Sequence, residues 1–104
     1  GRKISVDYDD ILFFETSRNI HKVILHAKDR QIEFPSTLKE LTRILDSNFV
    51  RCHQAFLVNT NNIKEIDTKN RIIHFANGET CLMSTRMMKR LFSIHKQNFL
   101  KTRM

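Results

Sequence analysis

The chain has 104 residues and 40% hydrophobic content, which suits one domain with a modest core and argues against a disordered tail. It carries 18 Lys and Arg against 11 Asp and Glu, a formal net charge of +7, and its 2 Cys are too few for a secreted disulfide scaffold, so a reducing cytoplasm is expected. No apolar run approaches the ~20 residues that span a bilayer, and no opening stretch has the pattern of a signal peptide.

In chain order, residues 11–15, 22–26 and 31–34 read as strands rich in Val, Ile and Phe. After Phe34-Pro35, Thr37 with Glu40 three residues on forms a capping box, and Leu38, Leu41, Ile44 and Leu45 follow at helical spacing. Residues 50–58 read as the next strand, interrupted by His53-Gln54, where a buried Gln has to find partners. Residues 59–62 and 67–70 are turns, with strands expected at 63–66 and 72–75. Asn77-Gly78 predicts a type I′ hairpin turn leading into a strand at 80–83. Ser84 or Thr85 then caps a second helix whose Met87, Leu91 and Ile94 form one stripe, with Met88 and Phe92 beside it. The expected fold is mostly β, built of small antiparallel sheets with a short helix and a C-terminal helical segment.

Charge is unevenly placed. Residues 1–79 hold 12 basic and 11 acidic side chains, whereas residues 80–104 hold six basic and no acidic ones. A block of this kind is either a solvated face or the footprint of a polyanion, whose counterions it releases. A membrane surface needs in addition an exposed apolar stripe, and a Met/Leu/Phe stripe at this spacing is better explained as core.

Catalytic patterns are weak. Cys52 and His53 are neighbours in a strand and face opposite ways, so they make no thiol–base pair. Cys52, His53, His74 and Cys81 lack the spacing of a zinc site, and 2 Gly leave no phosphate-cradling loop. No enzyme activity, metal, cofactor or small-molecule substrate is expected. Both thiols read first as small buried hydrophobes; the other reading is a redox pair, Cys52 with Cys81, if their strands lie close together.

Polar segments beside strands suit DNA better. Thr16-Ser17-Arg18-Asn19-Ile20-His21-Lys22, His53-Gln54 and Ser84-Thr85-Arg86 bring Arg for guanine, Gln for adenine and His for a base acceptor or phosphate. Arg18, Asn19, Lys22 and Ser84 have the chemistry of backbone contacts.

Several ordered blocks together resemble the LytTR DNA-binding family, and within it the AgrA/ComE-like response regulators of peptide quorum sensing. These are Tyr8-Asp9-Asp10-Ile11-Leu12-Phe13-Phe14-Glu15-Thr16-Ser17 with His21-Lys22, Arg30-Gln31-Ile32-Glu33-Phe34, Leu38-Lys39-Glu40-Leu41, the run from Phe49 to Asn59, and Asn62-Ile63-Lys64-Glu65-Ile66-Asp67. The resemblance implies a LytTR-like elongated stack of small antiparallel sheets over residues 1–91, with 92–104 a basic C-terminal extension. It implies sequence-specific binding of double-stranded DNA through loops, with base contacts at His21, Gln54 and Arg86 and phosphate contacts at Lys22, Ser84 and Lys89. It further implies an upstream receiver domain, consistent with a chain that opens at Gly1, through which two copies occupy direct-repeat half-sites. Gln54 and Met87 depart from the residues expected in near relatives. An RNA-binding or general polyanion-binding β module is the alternative.

Overall fold

The apolar run Ile11-Leu12-Phe13-Phe14 has too few polar residues to show one wet face, and it becomes the centre of a sheet covered on both sides. In the computed structural model, which describes residues 3–94, the elements run β1 (Ile11–Thr16), β2 (Lys22–Ala27), β3 (Gln31–Pro35), α1 (Leu38–Ile44), β4 (Phe49–His53), β5 (Phe56–Asn59), β6 (Ile63–Asp67), β7 (Ile72–Phe75), β8 (Thr80–Leu82) and α2 (Thr85–Ile94). Two antiparallel sheets result, one ordered β3-β2-β1-β5-β4 and the other β6-β7-β8. The described residues extend 47 × 25 × 22 Å, an elongated shape as expected. Lys96, Lys101 and Arg103 of the expected extension lie outside the described residues.

The larger sheet separates two cores. Ile11, Phe14, Val23, Leu25 and Leu57 pack with Leu38 and Leu41 of α1 on one face. On the other, Leu12, Phe13, Val50, Cys52 and Val58 meet Ile73, Phe75 and Cys81 of the small sheet and Leu91 of α2. A register shift between Ile11 and Phe13 lets the neighbours Leu12 and Phe13 join the same core, against strict alternation. Thr37 caps α1 by accepting a 3.1 Å bond from Glu40 N, as its sequence predicts. Ile44 is 65% exposed, so the apolar stripe of α1 narrows to Leu38, Leu41 and the half-buried Leu45. Asn59, 2% exposed, donates to the carbonyls of Tyr8 and Ile11 and accepts from Asn48, fixing the start of β1 to the end of β5.

Two sequence expectations are corrected. Residues 50–58 are two strands, because Gln54-Ala55 is a hairpin turn; Gln54 is exposed, not a buried amide within a strand. The turn is held by a 2.7 Å bond from Arg51 Nη2 to Gln54 O and a 3.0 Å bond from Ala55 N to His53 Nδ1. The Asn77-Gly78 hairpin forms, but not with a type I′ turn. Only Gly78 has positive φ, at +90°, and Gly78 N donates to Phe75 O with Ala76 and Asn77 at the centre of the turn. A three-residue loop needs a left-handed residue only at its last position. Asn77 instead spends its side chain on the Glu79 N–H, at 3.0 Å.

Candidate nucleic-acid interface

The loop between β1 and β2 is short and polar, so its backbone groups need partners within it. Ser17 N donates to Lys22 O at 3.0 Å, Lys22 N to Asn19 O at 3.2 Å, and Asn19 N to Ser17 Oγ at 3.0 Å. His21 is exposed in the left-handed region at φ +59°, and its carbonyl accepts from Ser36 N at 3.1 Å. Glu33, across on β3, accepts from Ser17 Oγ and, with both oxygens, from Asn19 Nδ2 at 3.0 and 3.1 Å. Those bonds, with Lys22 nearby, hold its carboxyl below the usual range. Asn19 thus anchors the loop. Arg18 and Ile20 project from it, both exposed.

The Gln54-Ala55 turn lies between this loop and the start of α2. Thr16 N donates to Ala55 O at 3.0 Å on one side, and Ser84 N donates to Cys52 O of β4 at 2.8 Å on the other. Ser84 is the cap of α2, its Oγ accepting from Met87 N at 3.1 Å. Arg86 and Lys89 follow on the helix, both exposed. The three segments that carry His21, Gln54 and Arg86 are therefore tied to one another through main-chain bonds of β1 and β4.

A concave surface of about 260 Å³ brings His21 and Lys22 together with Thr37, Lys39 and Arg51. A second hollow of about 510 Å³ shares Lys39 and Arg51 and continues to Arg43, Met87 and Arg90. Sequence reasoning missed Lys39 and Arg51. Lys39 stands on the exposed side of α1, whose sequence offered a capping box and an apolar stripe, and Arg51 alternates out of an apolar strand; neither signal had a direction without the fold. Glu33 was missed too, being 14 and 16 residues from its partners.

The cysteines meet. Cys52 and Cys81 are both buried, and Cys52 Sγ lies 3.4 Å from Leu82 O. Holding its proton against the Cys52 sulfur, together with burial, pushes the Cys81 thiol far up. His53 commits its Nδ1 to Ala55 N, away from these thiols.

Two antiparallel sheets that offer loops, a turn and a helix start beside clustered cations define a β-type DNA-binding domain. Residues 1–96 match the family described as the LytTr DNA-binding domain, and the chain belongs to it. It is 50% identical over 91 residues to accessory gene regulator protein A of Staphylococcus epidermidis and, equally, to that of Staphylococcus aureus. The match takes in 88% of this chain and 38% of those proteins, so the chain spans well under half the length of these relatives. The LytTr DNA-binding domain of a Bacillus cereus response regulator has the same fold, with a TM-score of 0.78 at 26% identity over 88% of this chain and 86% of that one.

Proposed function

We propose that the chain is the output domain of a two-component response regulator of the peptide quorum-sensing type, a cytoplasmic transcriptional activator that recognises a base sequence in double-stranded DNA. His21, Gln54 and Arg86 read bases, while Arg18, Lys22, Ser84 and Lys89, joined by Lys39 and Arg51, grip the backbone; Asn19, expected among them, has its amide donors on Glu33 instead. The observation that carries this reading is the surface on which His21 and Lys22 share one hollow with Lys39 and Arg51, cations from three separate elements. Clustered cations gain affinity by releasing phosphate counterions, and loop side chains supply the base discrimination. In the full regulator, a receiver domain pairs two copies on direct-repeat half-sites; the reading gives this domain no catalytic step.

Selecting binders from a random duplex pool with the 104-residue chain tests it. A recurring motif, bound far better than its scrambled form, is the expected result. Equal affinity for both would leave a general polyanion binder, and no retention at moderate salt would remove double-stranded DNA as the ligand.

A further inference from the structure

A carboxylate beside the reading loop is the wrong charge for a surface that meets phosphates. Glu33 is exposed on the edge strand β3, yet both of its oxygens are taken by the loop: Ser17 Oγ and Asn19 Nδ2 donate to them. Repulsion from Glu33 costs affinity on any duplex, so what it contributes lies in geometry. The loop needs such a hold. His21 sits at φ +59°, a conformation that L side chains adopt at a cost and that persists where neighbours over-determine it. Ser36 N fixes the His21 carbonyl from one side, and Glu33 fixes Ser17 and Asn19 from the other. The Asn19 amide, spent on Glu33, braces the loop from within.

Resting on the reading of His21 as a base contact, we propose that Glu33 is a positioning residue that sets the sequence preference of the domain by fixing the conformation of the 17–21 loop. Its removal has opposite effects on the two kinds of DNA. Scrambled duplex gains from the lost negative charge, whereas the preferred duplex loses an oriented imidazole.

The test uses the whole chain with a duplex selected by the wild-type protein and a scrambled one of equal composition. Glu33→Ala is expected to raise scrambled affinity a few-fold and to lower the selected-to-scrambled ratio about tenfold, the scale of one base contact. Glu33→Gln, which keeps one carbonyl acceptor for Ser17 or Asn19, is expected to lose less of the ratio. Glu33 is exposed, so thermal midpoints of the variants should stay near wild type; equal losses on both duplexes with a falling midpoint would make the residue merely structural. In a His21→Ala background, Glu33→Ala should cost no further ratio, because the two act as one unit. Affinities that rise equally on both duplexes would reduce Glu33 to a bystander charge, and additive losses would show that it does not act through His21. A ratio unmoved by His21→Ala itself would sink the base-contact reading, and the brace with it; a ratio that falls for His21→Ala but holds for Glu33→Ala sinks the brace alone.

Discussion

His26 Nδ1 lies 2.9 Å from Glu79 Oε1, a contact across 53 residues that fastens the β7–β8 turn of the small sheet to β2 of the large one. The other ring nitrogen, Nε2, is 2.6 Å from Glu15 Oε1, and the ring stacks on Phe13 with centroids 4.1 Å apart. Phe13 stacks in turn on Phe75, so polar and aromatic contacts join the two sheets at one place.

Glu79 also accepts from Gln31 and Asn77. Burial pushes its carboxyl up, but the bonds from Asn77, His26 and Gln31 outweigh burial and leave it below its ordinary value. A carboxyl held lower in the folded state than in the unfolded one contributes stability above the unfolded value and loses it as pH falls through the folded value. Urea melts from neutral pH downward should therefore show wild-type stability falling more steeply below about 4.5 than that of Glu79→Gln. At neutral pH, Glu79→Ala should cost about 1–3 kcal/mol by leaving His26 and Gln31 short of a partner.

Arg86 is exposed at the start of α2, and the proposed reading sets its fork against a guanine edge. Arg86→Ala should cost about 1–3 kcal/mol on the selected duplex and much less on scrambled DNA. Equal losses in the same titration would make it a phosphate contact.

Salt dependence separates grip from reading. With about five to seven phosphates neutralised, log affinity should fall against log salt with a slope of roughly −4.5 to −6. Lys39→Gln should shrink that slope by about 0.9 and leave the selected-to-scrambled ratio intact. Arg51→Gln should shrink the slope and also lower the ratio, since Arg51 holds the Gln54 carbonyl at 2.7 Å. Identical ratios in the two variants would detach Arg51 from the turn.

For the thiols, contact and protonation pull in opposite directions. Cys52 and Cys81 are adjacent and buried, and Cys81 is held as the neutral thiol, a poor nucleophile. Native protein should resist iodoacetamide at neutral pH, and denatured protein should react fully. Peroxide, taking two electrons and two protons from the pair and leaving water, is expected to join them slowly and to weaken DNA binding, since β4 leads into Gln54 and β8 into Ser84 and Arg86. Retention of both thiols with unchanged affinity after prolonged peroxide would exclude the pair as a redox element.

Much of the β framework could be read because Val, Ile and Phe concentrate in short runs between turn residues. The β4–β5 hairpin could not: Gln54-Ala55 contains none of the Gly, Pro, Asn or Asp that punctuate turns, and what makes the reversal is side-chain capping by Arg51 and His53. Nor could the pairing of β1 with β5, since strand order depends on contacts between Phe13 and Val58, far apart in the chain. His21 and Arg86 became candidates through the family pattern, not through composition, where any exposed His or Arg looks alike. Lys39, Arg51 and Glu33 became visible only when the fold set them beside the loop.

The side chains proposed to read DNA sit where the chain reverses or a helix begins, and none belongs to either core. Positions without shared partners change nearly independently, so substitutions at Arg18, Gln54 or Arg86 leave the packing of Phe13, Phe75 and Leu91 untouched. Such a domain can drift from one operator to another without refolding its interior. The Bacillus cereus domain, alike in fold at 26% identity, shows how far sequences diverge on this frame. His21 is the exception: with the proposed Glu33 brace and its own left-handed backbone, it is the proposed reader least free to vary alone.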